Sequence, residues 1–455
     1  MPALLRQLVP ILGGVLYALA FPPHGWVPLV FVGLGMLVWS LRDVTIAQAF
    51  RRGLMWGLAC FAFGLSWLWN LFSILSPILW LILAFFPACF AALTAFAASR
   101  GLQRWSLAAF IALAWCAMEF IRCEIMPLRF PCMRAGLALE PWPLVSSIGV
   151  YGLGLVMVFA VSGALHAGWR TAYLAPVVLV LWSFEPTLWY TASSCWHSVG
   201  VVQAESAPLN RYLELSEKTA EVTKLIVWPE YAVPKDVRAS SDLAAIQAFA
   251  AKRKAIIVFG TQTGLGGDQW QNTALTVDGT RVLGEHGKHH TVHFFNDGET
   301  GPTMKAIDTP LGRMGTPVCF DCDFQDVVRH MTLDGAEFFA APSMDAAHWG
   351  KKQHIQHAQL FRLRAAENRR PFIVAASSGV SQIINANGWS SQRISPMVED
   401  VLNGRMIPEK SLTFFTSWGW LGTWLACLPS DRRVQLLVVR ERGGIVGAGC
   451  LGEHR

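Results

Sequence analysis

The sequence predicts a polytopic α-helical membrane domain of about eight spans, joined to a more polar α/β layered domain. Three observations lead there. Of 455 residues, 53% are hydrophobic and only 15% are charged, below the roughly 25% of soluble domains. The charge is also unevenly placed: no lysine precedes Lys218, and no aspartate lies between Asp43 and Asp236. From residue 196 onward, long apolar stretches give way to short apolar runs separated by turn residues. Each part is long enough for its own core. The formal net charge of +6 is mild and spread out, with no basic stripe of the kind that nucleic acid requires.

The apolar stretches lie near 8–21, 25–41, 53–74, 78–98, 105–121, 145–168 and 172–190, with a last one near 411–429. A spanning helix needs about 20 apolar residues, so the first is short. The Phe21-Pro22-Pro23-His24-Gly25 break makes a hairpin of the first two, because proline stops a helix. A signal peptide is the competing reading of the first stretch. It has no small-residue cleavage site, and the apolar pattern simply continues.

Arginine placement orients the spans. Counting alternate loops from an internal N-terminus, one side receives Arg6, then Arg42 with Arg51 and Arg52, then Arg100 with Arg104, then Arg170. The same side receives a tail with Arg432, Arg433, Arg440 and Arg442. The other side lacks arginine and lysine in its first two loops and carries Arg122, Arg129 and Arg134 in its third. This bias places the arginine-rich side in the cytoplasm and the polar domain outside it. The expected domains are 1–192 with seven helices, 193–408, and 409–455 with the final helix and a cytoplasmic tail. Glu119, Arg122, Glu124 and Arg129 sit at the end of the fifth span. Ionisable groups there either pair with one another or meet a lipid headgroup. Trp67, Trp69, Trp115 and Trp142 fit an aromatic belt.

In the polar domain, His197–Gln203 and Leu225–Trp228 read as strands, and Asp242–Lys254 as an amphipathic helix. Strands follow at Ala255–Gly260, Thr273–Asp278 and Met314–Cys319. Asp326–Asp334 is helical, Phe338–Ala341 a strand, Gln353–Glu367 a longer helix, and Phe372–Ala376 and Ser381–Ile384 strands. Turn residues at Asp278-Gly279 and Asn385-Ala386-Asn387-Gly388 punctuate the run. Strands interleaved with helices make an α/β layered domain.

Three short stretches there carry chemistry: Trp228-Pro229-Glu230, Gly287-Lys288-His289-His290 and Val318-Cys319-Phe320-Asp321. A carboxylate, an amine and a thiol could converge on one carbonyl carbon. The thiol would attack, the carboxylate would take its proton, and the ammonium would hold the developing oxyanion. A thiol of ordinary pKa is mostly protonated at neutral pH, so it needs such a base. Singly, each has a plainer reading: a surface carboxylate at a strand end, a solvated lysine in a turn, and a buried small hydrophobe.

Cys319 and Cys322 form a Cys-x-x-Cys pair, but no thioredoxin-like βαβ pattern precedes it. His286, His289, His290, His293, His348, His354 and His357 cluster without the tight spacing of a tetrahedral metal site, so no metal is expected.

Taken together, these motifs resemble a known family. Leu65-Ser66-Trp67-Leu68-Trp69, the Phe130-Pro131 loop and Gly149-Val150-Tyr151-Gly152-Leu153, ahead of the polar domain, are similar to the apolipoprotein N-acyltransferases. The polar part continues the likeness through Gln271-Asn272-Thr273-Ala274, Leu363-Arg364-Ala365-Ala366-Glu367-Asn368-Arg369-Arg370-Pro371 and Ser377-Ser378-Gly379-Val380-Ser381. The resemblance implies a nitrilase-like α/β/β/α sandwich of the carbon-nitrogen hydrolase superfamily. It implies acyl transfer without a cofactor, from a phospholipid through a cysteine thioester to the α-amino group of a diacylglyceryl-cysteine lipoprotein. It also implies a monomer in the bacterial inner membrane, with the catalytic domain on the periplasmic face. By position, Glu230 matches the general base, Lys288 the oxyanion-stabilising lysine and Cys319 the nucleophile. Asn272, Asp321 and Glu367 match supporting positions.

The chain departs from the family pattern in places. Asp321 stands where a glutamate is usual, and Thr291-Val292-His293-Phe294-Phe295-Asn296-Asp297-Gly298-Glu299 replaces a run with a second glutamate, so either Asp297 or Glu299 fills that role. Met344-Asp345-Ala346-Ala347-His348-Trp349-Gly350 replaces the usual Asn-Asp-Ala-Trp-Phe-Gly. A membrane-tethered amidase acting on a small amide, and a non-catalytic assembly factor, are the alternatives on the same fold.

Overall fold

A computed structural model describes residues 3–139, 144–168 and 196–419. Its first part is helical. Helices α1 (Ala3–Leu19) and α2 (Pro28–Ser40) form the expected hairpin across the proline break, with Pro28 opening α2 where a missing N–H costs nothing. Helix α3 (Ile46–Gly64) starts earlier and ends earlier than the apolar stretch 53–74. Thr45 sets its start, accepting a hydrogen bond from the Gln48 amide while the Gln48 side chain accepts from the Thr45 amide. A short α4 (Leu68–Phe72) leads into α5 (Ser76–Ser99), then α6 (Arg104–Phe120), which a π turn continues through Ile125. Helix α7 (Val145–His166) kinks at Gly149, whose φ is +66°.

Among the described residues, the helical stretches Leu68–Ser99, Arg104–Ile125 and Val145–His166 are long and apolar enough to cross a membrane. The expected span at 172–190, and most of that at 411–429, lie outside the described residues.

The second part holds two six-stranded sheets. The first has the order β12-β1-β2-β3-β4-β5 and is built from β1 (His197–Gln203), β2 (Leu225–Val227), β3 (Ile256–Gly266), β4 (Gln269–Val277), β5 (Val282–Gly287) and β12 (Asp400–Met406). The second has the order β11-β10-β9-β8-β7-β6. It contains β6 (Ile307–Thr309), β7 (Gly312–Gly315), β8 (Phe338–Ser343), β9 (Phe372–Ala376), β10 (Gln382–Ile384) and β11 (Ser390–Arg393). In each sheet the three middle strands, β1-β2-β3 and β7-β8-β9, run parallel.

Two-residue periodicity sorts the side chains into layers. Val199, Val201, Leu225, Val227, Phe338 and Ile373 meet between the sheets. Their neighbours Val202, Ile226 and Phe259 face α8 (Leu209–Glu217) and α9 (Asp242–Arg253). On the opposite side, Phe339, Ala341 and Phe372 face α10 (Asp326–Leu333) and α11 (Lys351–Asn368). The result is an α/β/β/α sandwich.

Helix α11 belongs to both halves. Phe361 and Ala365 pack on the sheet, while Leu360, Leu363 and Ala366 join the core of the helical part. Polar side chains fasten the same junction. Gln356 Oε1 accepts from Trp67 Nε1 at 2.8 Å, and Gln356 Nε2 donates to the carbonyls of Pro22 and Gly64. Buried Glu119 and Arg122 and half-buried Glu124 find hydrogen-bond partners within the protein. Glu119 accepts from the Ala135 amide, Arg122 donates to the carbonyls of Phe130 and Cys132, and Glu124 accepts from Tyr151 and Gln325. Their partners are backbone groups and neighbouring polar side chains, with Arg134 3.9 Å from Glu124; among the described residues the three do not pair with one another.

Candidate active site

The three chemical motifs meet at the ends of strands. Glu230 follows β2, in a turn where Tyr231 takes a φ of +56°. Gly260 on β3 makes room for that turn: a Cβ there would lie 2.4 Å from Glu230 Cα. Lys288 follows β5, its backbone amide donating to the Asn272 carbonyl on β4 at 2.7 Å. Cys319 was expected to end a strand running from Met314. Strand β7 instead stops at Gly315, before Thr316-Pro317, because proline has no amide for the ladder. Cys319 opens a 3-10 turn (Cys319–Asp323) with a φ of +46°, a costly conformation for a residue with a Cβ.

Glu230, Lys288 and Cys319 are all buried. Glu230 Oε1 accepts from Lys288 Nζ at 2.8 Å and from Asn272 Nδ2 at 2.5 Å, and its Oε2 accepts from the Met344 amide at 2.8 Å. The Cys319 thiol donates to the Met344 carbonyl at 3.5 Å. The same backbone unit therefore touches both the thiol and the carboxylate. Lys288 Nζ also pairs with Asp297 Oδ2 at 2.8 Å.

The two carboxylates share one ammonium, yet their pKa values move in opposite directions. Burial pushes Glu230 above the usual carboxylate range, against the pull of Lys288. Burial acts the same way on Asp297, but the Lys288 charge and hydrogen bonds from Lys288, Tyr231 and the Val292 amide outweigh it and hold Asp297 low. For Lys288, the charges of Glu230 and Asp297 overcome desolvation and keep the ammonium protonated. Burial, reinforced by Glu230, raises the Cys319 thiol, so it rests neutral. Paired groups pushed in opposite directions are the pattern of an acid-base site: a proton acceptor beside a permanently charged anchor.

The supporting residues divide. Asn272 Nδ2 lies 2.8 Å from both Asp297 Oδ1 and Tyr231 Oη, and so joins the network. Asp321 Oδ1 accepts from the His289 and His290 amides, and its Oδ2 from His286 Nε2 and the Val318 amide. It thereby ties the lysine loop to the cysteine turn. Asp297 rather than Glu299 faces Lys288; Glu299 is exposed and donates its amide to the Trp270 carbonyl. Glu367 lies away from this network. It accepts from the Val150 amide at 3.0 Å and pairs with Arg364, bracing α11 against the kink of α7.

Several participants escaped the sequence reading. Tyr231 adjoins Glu230 in the sequence, and its hydroxyl donates to Asp297 at 2.6 Å. His357, grouped there only as one of a histidine cluster without metal-site spacing, is buried between Asp345 at 2.7 Å and Asp323 at 3.2 Å. Desolvation disfavours its charge, but the two aspartates prevail and raise its pKa well above the ordinary value. It links the cysteine turn, the Met344 loop and α11. Cys322 is buried among core residues of the sheet and α10, which leaves the Cys-x-x-Cys pair facing different surroundings. His289, His290 and Asp326 bring ligand atoms within 4.8 Å of one another. His290 already bonds Asp326 through Nε2 and Arg129 through Nδ1.

Cys319 stands where two cavities meet. One, about 1050 Å³ including its open mouth, is walled by apolar side chains of the helical part such as Leu68, Leu79 and Leu83, together with Phe294. The other, about 1230 Å³ including its mouth, holds Glu230, Lys288, Asp297 and Glu205. Val292, Phe295 and Trp349 also line both.

Residues 13–163 match the family model for the apolipoprotein N-acyltransferase N-terminal domain, and residues 198–403 match that for carbon-nitrogen hydrolase. An apolipoprotein N-acyltransferase of Geobacter metallireducens is 26% identical over 499 residues, covering 96% of this chain and 95% of its own length. One of Photobacterium profundum is 23% identical over 507 residues, covering 96% of each chain. One of Pseudomonas paraeruginosa is 27% identical over 469 residues, covering 90% of this chain and 91% of its own.

Proposed function

We infer that this chain, which belongs to the apolipoprotein N-acyltransferase family, is a membrane acyltransferase that moves an acyl chain from a phospholipid to the amino terminus of lipoproteins. The observation that carries the reading is the position of Cys319, shared by an apolar cavity among the membrane helices and a polar cavity holding Glu230 and Lys288. An amidase acting on a small soluble amide has no use for the first cavity.

In the proposed mechanism, the acyl chain lies in the apolar cavity with its ester carbonyl at Cys319. Glu230 accepts the thiol proton as Sγ attacks. A carbon–sulfur bond forms, and Lys288 holds the negative charge gathering on the carbonyl oxygen. Collapse breaks the ester carbon–oxygen bond, Glu230 returns the proton to the leaving alcohol, and a lysophospholipid departs. The lipoprotein amine then enters from the polar cavity and attacks the thioester. Its proton passes to Glu230 and on to the departing sulfur, which regenerates the thiol and leaves an amide. Two half-reactions through one thioester give ping-pong kinetics. Asn272, Asp297 and Asp321 act as positioning residues, through the network that fixes Glu230 and Lys288.

We place about eight spans in the bilayer, with the sandwich (193–408) between the seventh (in 1–192) and the last (in 409–455). The arginine bias supports an outer-face sandwich on the bacterial inner membrane, and we take the working unit to be a monomer. The test is transfer of a labelled acyl chain from phospholipid to a synthetic diacylglyceryl-cysteine peptide. Purified wild type should acylate the peptide and Cys319→Ala should not. Transfer by Cys319→Ala at the wild-type rate would refute the mechanism.

A further inference from the structure

The loop leaving the end of α6 carries one feature the mechanism does not use. Among the described residues that line the apolar cavity, Arg129 supplies the only guanidinium. Two contacts hold it in place: its Nη2 lies 3.0 Å from His290 Nδ1, and its guanidinium carbon lies 4.6 Å from the centre of the Phe324 ring. His290 Nε2 is committed to the Asp326 carboxylate at 2.8 and 2.9 Å, so Nδ1 accepts from Arg129. The carboxylate is thus occupied by the histidine, and Arg129 itself makes no ion pair with any described residue. His293 lines the same cavity, and its buried Nε2 has no hydrogen-bond partner among the described residues.

A fixed cation and an unspent ring nitrogen at the rim of an apolar space suit a ligand with apolar tails and an anionic head. The planar guanidinium matches phosphate oxygens in particular, because it can donate two parallel hydrogen bonds. The carrying loop starts where a membrane-length helix ends, the depth at which lipid headgroups lie. We propose that Arg129, with His293 beside it, forms a phosphate-binding subsite that holds the acyl donor by its headgroup while its ester reaches Cys319. The inference rests on the acyltransferase reading and makes the enzyme selective for phosphate-bearing glycerolipids.

The experiment compares thioester formation on the full-length protein with two donors in mixed micelles: dipalmitoyl phosphatidylglycerol, and dipalmitoylglycerol, which has the same esters and tails but no phosphate. For wild type the phosphate-bearing donor should react faster. In Arg129→Gln the ratio of the two rates, at donor concentrations below saturation, should fall about ten- to a hundredfold, the worth of a charge-assisted hydrogen bond. Arg129→Lys should recover part of the ratio, which guards against a variant that merely folds poorly. An unchanged ratio in Arg129→Gln, or an equal fall for both donors, would overturn the subsite. Wild type acylated by neither donor would instead bring down the acyltransferase reading, and the subsite with it.

Discussion

At the scale of residues, two carboxylates share one ammonium, and the balance of burial against charge and hydrogen bonds sets them apart. Glu230 is held above the usual range by burial, and in the proposed mechanism its ionised form is the acting one. The rate of thioester formation should therefore fall as pH drops through that raised pKa, and Glu230→Gln should show no such acid limb because its residual rate is low throughout. Asp297 is held low despite burial, so its stabilisation is present above the ordinary carboxylate pKa and is lost as pH falls through the lowered value. Asp297→Asn should cost about 3 kcal/mol near neutrality by leaving Lys288 short of a buried partner. The gap to wild type in thermal unfolding should narrow in strong acid; a gap independent of pH would contradict the pairing. That Glu230, Lys288 and Cys319 belong to one site was an expectation from residue types and resemblance, and the structure brings the three together. The choice between Asp297 and Glu299 was not legible in the sequence, because Gly298, at a φ of +75°, turns the loop so that one carboxylate faces inward and the other out. His357 was invisible for a similar reason: its partners Asp323 and Asp345 lie on two other segments.

At the scale of elements, the site depends on where strands stop and how closely their ends approach. Gly260→Ala would set a methyl group against the Glu230 backbone, which we expect to cost about 1–3 kcal/mol of stability. It should also slow thioester formation by more than it alters phospholipid binding, since the displaced group is the proposed base and not the acyl-chain wall. His357 clamps the cysteine turn to α11. Its raised pKa means that its contribution is fully present below the ordinary histidine pKa and is lost as pH rises through the raised value. His357→Gln should accordingly unfold earlier than wild type at neutral pH, with the difference shrinking in alkali. Elements that run unbroken between turn residues, such as β1 and α11, were legible in the sequence, nearly to their ends. The short strands β6 and β11 were not, because three or four mostly exposed residues carry too little apolar pattern to mark them. The strand drawn through Cys319 failed on an apolar run that Pro317 interrupts.

At the scale of the whole molecule, the helical part and the sandwich share a helix, and the sulfur of the proposed nucleophile sits at their junction. Sequence composition separated the two parts, yet nothing in it indicated that α11 would be buried on both sides. That follows from tertiary contact alone. The arrangement predicts a dependence on chain length. Leu79→Trp, at the wall of the apolar cavity, should slow acylation by long-chain phospholipid about tenfold or more while sparing a short-chain ester. Equal slowing of both would place the acyl chain elsewhere.

Intact-mass measurement of the full-length protein after brief incubation with phospholipid, before any lipoprotein acceptor is added, bears most directly on the junction. Wild type should gain the mass of one acyl chain at Cys319, removable by hydroxylamine, and Glu230→Gln and Lys288→Met should gain little or none. A wild-type protein that stays unmodified, or one that carries the acyl chain on a residue other than Cys319, would contradict it.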